Sequence, residues 1–178
     1  MIKLNNVRLS FNSLDKKIAS NQNSNSPHQQ ESLKYFASFI LDKDIHKEEI
    51  NKIQTTIASL IKLEFNNKFD GYVCLKDGDK TDKKYLENKF TIKATTRSEF
   101  TRLLQNKQPI PAEDIAKIFY SGCYVNAAIN LKASTFISKM ILCDLLGVQF
   151  HSHGEPFGGG AIDVTDSFDN ISTDDISF

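Results

Sequence analysis

At least five strand-like segments, one segment with apolar residues every three or four positions, and the lack of any internal repeat predict a mainly β fold with some α content. That inventory fits a small, partly open Greek-key barrel of OB type with one substantial helix packed on it. A β-sandwich accommodates the same strands. The chain has 178 residues, 40% of them hydrophobic, which suits one domain with a real core. Residues 1–157 are expected to form that domain, and residues 158–178 a glycine hinge and a flexible acidic tail.

The elements follow in order. VRLSF, Val7 to Phe11, reads as a first strand, with Val7, Leu9 and Phe11 alternating with Arg8 and Ser10. SNQNSNSPHQQES, residues 20–32, is Asn/Ser/Gln-rich and contains Pro27; it cannot bury itself and reads as a mobile loop. KYFASFIL, Lys34 to Leu41, is nearly continuous in apolarity and suits a central strand. In DKDIHKEEINKIQTTIASLIKLEF, Ile50, Ile53, Ile57, Leu60, Ile61 and Glu64 follow the spacing of one helical face, with Asp44 as the expected cap. Its many β-branched residues weaken intrinsic helicity, so this helix needs a sheet to lie on. LKDGDK carries an Asp-Gly turn. KFTIKATTR, Lys89 to Arg97, alternates: Phe90, Ile92 and Ala94 on one side, Thr91, Lys93, Thr95 and Arg97 on the other. QPIPAEDIAKIF reads as a loop leading into a short helix, and YSGCYVNAAINLKAS and SKMILCDLLGVQF as two further strands. HGEPFGGG marks the break before the tail.

The net charge of zero hides an asymmetry. All 22 basic residues precede Met140, against 15 of the 22 acids, so residues 1–139 carry +7 and residues 140–178 carry −7. A basic body with an acidic end is a pattern associated with nucleic-acid partners and interaction tails. No stretch approaches the ~18 apolar residues of a membrane span. MIKLNNVRLSF lacks the basic and apolar regions of a secretory signal. Cys74, Cys123 and Cys143 are an odd set without a close pair and read as buried free thiols in a reducing, cytoplasmic setting.

The strand from Tyr124 to Lys132 points Val125, Ala127, Ile129 and Leu131 to the core and Tyr124, Asn126, Ala128, Asn130 and Lys132 outward. Lys93 and Arg97, with Thr91 and Thr95, form a second such row, and Arg8 and Lys34 add charge beside Phe11, Tyr35 and Phe36. Single-stranded nucleic acid requires cations that track phosphates and exposed rings that stack on bases. The candidate DNA-contacting residues are therefore Arg8, Phe11, Lys34, Phe36, Lys93, Arg97, Tyr124, Asn126 and Lys132. The bland alternative is that strand aromatics are core and Lys/Thr rows are the ordinary outside of a sheet. His151 and His153 share one strand face and offer a second reading, a metal-dependent nuclease with Glu155 or Asp144, although no second ligand cluster accompanies them. The triple glycine is followed by no Lys-Ser/Thr pair, which excludes a P-loop. A third reading is a scaffold protein whose business is its tail. No catalytic residue, metal or cofactor is assigned.

VRLSF, KYFASFILDKD opening a helix, LKDGDK, FYSGCYVNAAIN, GEPFGGG and an acidic end, in that order, resemble a family of phage single-stranded DNA-binding proteins. The resemblance covers nearly the whole chain, and YSGCYVNAAIN and GEPFGGG are its specific parts. It implies an OB fold that binds single-stranded DNA without sequence preference during phage replication or recombination. It also implies an acidic tail ending in an aromatic, here Asp163, Asp166, Asp169, Asp174, Asp175 and Phe178, that contacts partner proteins and competes with DNA. The partners expected are single-stranded DNA, phage replication or recombination proteins, and a second copy of the chain, with no membrane. The chain departs from the family in its Asn-rich loop at 20–32, in SEFTRLLQNKQPIP, which lacks a basic glycine-rich loop, and after Lys132, where the usual tyrosine and glycine turn is missing.

Overall fold

The computed structural model describes residues 1–19, 33–136 and 138–157. The expected 20–32 loop, the hinge at 158–160 and the tail that follows lie outside the described residues. Among the described residues eight strands and two α-helices follow one another: β1 (Ile2–Ala19), β2 (Leu33–Asp42), α1 (Lys47–Phe65), β3 (Tyr72–Val73), β4 (Leu75–Asp77), β5 (Lys89–Thr96), β6 (Thr101–Leu103), α2 (Ile115–Ile118), β7 (Tyr124–Ser134) and β8 (Met140–Ser152). β1 pairs with β2 and β7, β2 with β5, and β7 with β8, all antiparallel. A parallel bridge between Thr95 and Asp144 joins β5 to β8 and closes a five-stranded barrel of OB type.

Alternation sets the faces. β7 buries Val125, Ala127, Ile129 and Leu131, as its spacing predicts, and β5 buries Ile92 and Ala94. With Leu9, Phe39, Leu41, Ile141 and Leu145 these fill the barrel. β1 is longer than the predicted Val7–Phe11 segment. Register shifts between Leu4 and Val7 and between Leu9 and Asn12 break its simple alternation, which hid its true length. The first shift is a bulge at Asn6, held at φ 49°.

The β5–β8 closure is narrow, and the chain fills the gap beside it. Tyr72 and Val73 pair in parallel with Met140 and Ile141 of β8, and Leu75 to Asp77 pair with β5 opposite Phe90 to Ile92. Between them the Cys74 amide donates to the Ile141 carbonyl at 3.0 Å, and the Cys74 carbonyl accepts from the Lys93 amide at 3.3 Å. Residues 72–77 are thus a wedge that hydrogen-bonds to both diverging strands. Sequence pattern did not reveal β3, β4 or β6, because strands of two or three residues carry no period.

Helix α1 lies against β7 and β1 and buries Ile50, Ile53, Ile57 and Phe65. Its cap differs from expectation. His46, not Asp44, occupies the N-cap, and its Nδ1 accepts from the Asp42 amide at 2.9 Å while Nε2 lies 3.3 Å from the Asn6 carbonyl. Asp42 Oδ1 accepts from the amides of Asp44 and Ile45, and these bonds hold its carboxyl below the usual range. Asn66, at φ 48°, ends the helix in the left-handed region. Among the described residues, no helix is long and apolar enough to cross a membrane.

Ile53 is fully buried between α1 and the barrel, whereas Leu63 is 75% exposed. Ile53→Ala is expected to destabilise the domain by about 2–5 kcal/mol, and Leu63→Ala by less than about 0.5 kcal/mol. Urea unfolding of the two variants measures the difference; equal effects would mean that α1 does not pack as described.

Candidate nucleic-acid interface

The outer face of β2 and β5 gathers the predicted charges. The register sets Phe36 opposite Thr95 and Ser38 opposite Lys93, with Lys34 and Arg97 following at the same end. Lys93 Nζ sits 5.0 Å from the centroid of the Phe36 ring, a cation–π geometry. Across the closure, Lys132 of β7 joins the group. Partial burial and then the positive charges of Arg97, Lys93 and Lys132 hold the Lys34 ammonium below its ordinary pKa. Four cations therefore share one field. Among the described residues Lys34, Lys93 and Arg97 form no ion pair, while Lys132 Nζ meets Asp144 Oδ1 at 2.7 Å.

The wedge extends this face. Lys76 stands opposite Thr91, and its Nζ lies 5.3 Å from the Tyr72 ring, which is 38% exposed. A second cation–ring pair thus borders the first. Phe136, in the turn between β7 and β8, is 92% exposed. Sequence reasoning missed all three. A lone aromatic in the short polar turn ASTFISK was a readable signal for Phe136, but nothing in the sequence placed Tyr72 and Lys76 on this face without the wedge.

Three predicted contacts, Tyr124, Arg8 and Asn126, lie elsewhere. Tyr124 is eight residues from Lys132 on β7, about 26 Å along an extended strand. Arg8 pairs with it in register and is a clamp. Its Nη2 donates to the Glu155 carbonyl at 2.7 Å, its Nε to the Gly122 carbonyl at 3.3 Å, and its guanidinium lies 4.1 Å from the Phe157 ring. Gly122 permits the close approach: it sits at φ +114°, and a Cβ there would fall 2.2 Å from the Glu155 carbonyl oxygen. Asn126 Oδ1 accepts from the Asn6 amide at 2.9 Å and its Nδ2 donates to Gln149, so it stabilises the β1 bulge. Phe11 is 64% exposed in the second β1 bulge, which faces Ser38 of β2, the residue opposite Lys93.

His153 stacks on Tyr120, with 6.0 Å between ring centroids, and its Nδ1 lies 3.2 Å from the Tyr120 hydroxyl. Among the described residues no three His, Cys, Asp or Glu side chains converge as metal ligands. All three cysteines are buried and free, and burial pushes the Cys123 thiol up to about 12.

Comparison with known proteins points one way. The family model described as "Enterobacter phage Enc34, ssDNA-binding protein" matches residues 1–177. A protein of Acyrthosiphon pisum secondary endosymbiont phage 1, described as "Putative protein p50", is 31% identical over 185 residues, spanning 96% of this chain and 94% of that protein. The single-stranded DNA-binding protein from bacteriophage Enc34 in complex with ssDNA superposes with a TM-score of 0.73 at 26% identity, over 88% of each chain. A C-terminal truncation of the Enc34 protein gives 0.73 at 25% identity, over 87% of each chain. Bacteriophage T7 gp2.5, a single-stranded DNA binding protein, shares the fold at a TM-score of 0.50 and 13% identity, over 95% of this chain and 98% of its own.

The depressed Lys34 pKa carries a stability consequence. A lysine whose folded pKa lies below its unfolded value destabilises the fold while it is protonated, and the penalty is relieved as pH rises from the folded to the unfolded pKa. Lys34→Gln is therefore expected to raise the melting temperature at neutral pH, with the advantage over wild type shrinking as pH approaches the ordinary lysine range. A pH series of thermal melts checks this; a lower melting temperature for the variant would mean that Lys34 stabilises the fold.

Proposed function

The chain belongs to the phage Enc34 single-stranded DNA-binding protein family, a binding family and not an enzymatic one, and from that premise we propose that it binds single-stranded DNA across the outer face of β2 and β5. The observation that carries the reading is the cluster of Lys34, Lys93, Arg97 and Lys132 around the Phe36 ring. In an OB barrel, the second and third barrel strands and the loops joining strands one to two and four to five bind oligonucleotides. Here those strands are β2 and β5, and the segments joining β1 to β2 and β7 to β8 are residues 20–32 and 135–139. The cations meet phosphates and displace their counterions, while Phe36, Tyr72 and Phe136 offer π-faces that accept any base. Binding of this kind is independent of sequence and suits a role in phage replication or recombination.

The tail has a role in the same proposal. Asp163, Asp166, Asp169, Asp174 and Asp175 mimic a run of phosphates, and Phe168 and Phe178 mimic stacked bases. The tail's root is fixed: the Phe157 amide donates to the Ser121 carbonyl at 2.9 Å, beside the Arg8 clamp. The 21 residues beyond Phe157 reach at most on the order of 70 Å when extended, enough to cross the barrel. Tethered carboxylates at about millimolar effective concentration compete with weakly bound DNA. DNA binding then frees the tail to meet replication or recombination proteins, and self-association into a dimer belongs to the same proposal.

Titration of a fluorescent oligo(dT), duplex DNA and RNA at several salt concentrations tests the reading. Single strands are expected to bind more tightly than duplex, without cleavage; equal affinity for duplex would reject it. Lys93→Ala and Arg97→Ala should each weaken binding and flatten the log–log salt slope by about 0.7. Phe36→Ala should cost about 1–3 kcal/mol with the slope nearly unchanged.

Truncation after Gly160 should strengthen DNA binding at low salt, the gain fading as salt screens both contacts. Binding unchanged by the truncation at every salt concentration would reject the competition.

A further inference from the structure

Asp144 is the acidic residue ion-paired within the cationic face. It lies on the outer side of β8, in register with Thr95 of β5 on one flank and Asn130 of β7 on the other. The bridge that closes the barrel fixes its backbone beside Thr95. Its Oδ1 is 2.7 Å from Lys132 Nζ, and the two side chains are 30% and 50% exposed, open enough for a phosphate to approach the ammonium. Lys34, Lys93 and Arg97 surround this pair without carboxylate partners among the described residues.

We propose that Asp144 is a built-in counterion that competes with nucleic-acid phosphate for Lys132 and thereby limits the affinity of this face for single-stranded DNA. The inference rests on the reading of β2–β5 as the DNA-binding face and adds a regulator to it. In the free protein the carboxylate neutralises one of four crowded cations. When a phosphate engages Lys132, Asp144 loses its partner and takes up a solvent cation. That uptake offsets part of the counterion release that drives binding. A half-exposed pair of this kind has a modest interaction energy, so the attenuation is a matter of a few-fold, enough to hasten release without abolishing binding.

The test is a titration of fluorescent oligo(dT) against wild type, Asp144→Asn, Lys132→Ala and the double variant, at four salt concentrations. Asp144→Asn should tighten binding about two- to five-fold at low salt and steepen the log–log slope by up to about 0.7. Lys132→Ala should weaken binding, and the gain from Asp144→Asn should vanish in the double variant. Glu64→Gln on α1 serves as the control for net charge and should change affinity little. If the amide disturbs packing beside Thr95, Asp144→Ser removes the carboxylate with a smaller side chain and should give the same gain. Wild type that binds while Asp144→Asn binds equally or more weakly overturns the proposal, and so does an equal gain from Glu64→Gln. Wild type that fails to bind oligo(dT) at all overturns the DNA-binding reading itself, and this inference with it.

Discussion

A five-stranded barrel must close on itself, and here closure rests on one bridge, Thr95 with Asp144. Antiparallel neighbours such as β7 and β8 stay in register over many residues, but β5 and β8 meet in parallel at one point and diverge. Backbone groups along the divergence need partners, because a buried, unpaired amide or carbonyl is costly. Residues 72–77 supply them, bonding to β8 through Tyr72 and Val73 and to β5 through Leu75 to Asp77. The same closure leaves only β8 between β5 and β7 and so sets Lys132 near Lys34, Lys93 and Arg97. The cationic face is thus a product of barrel topology as much as of composition.

Much of this was readable from alternation. Period-two spacing assigned the faces of β5 and β7 residue by residue, because one side of each strand meets an apolar core and the other does not. It therefore also placed Lys93 and Lys132 on the outer side of their strands. The charge imbalance between residues 1–139 and 140–178 was visible in the same way. Arg8 shows where such reading ends. Its outward position on β1 was correctly inferred, but its hydrogen bonds run to carbonyls 114 and 147 residues away. An exposed arginine and a clamped one look alike until those distant backbone atoms are placed. Asn126 is similar: a polar residue on an outer row whose partners, Asn6 and Gln149, exist because β1 bulges.

The helix boundary teaches a related lesson. Asp44 has the chemistry of a cap, yet the structure uses Asp42 to hold the turn and His46 to start the helix. Which side chain serves the turn depends on where β2 stops. β2 runs to Asp42 because it remains paired with Lys89 of β5. Tertiary pairing, not local propensity, therefore fixed the cap. Tyr72 and Lys76 escaped for the same reason, since two- and three-residue strands exist only because a gap needs filling.

Crowding like charges on one face opposes folding, and the molecule meets that repulsion at the atoms concerned. Lys34 is partly withdrawn from water beside three other cations, which disfavours its charged form. Lys93 and Lys76 lie against aromatic rings, whose faces attract positive charge without neutralising it. Lys132 alone of the four clustered cations has a carboxylate partner among the described residues. A polyanion relieves all of these tensions together, since it supplies charge to each cation and bases to the rings. On the proposed reading of this face, part of the driving force for binding is the release of repulsion already present in the free barrel. A face neutralised fully in advance by its own acids would fold more easily, but it would have that much less to gain from a phosphate backbone.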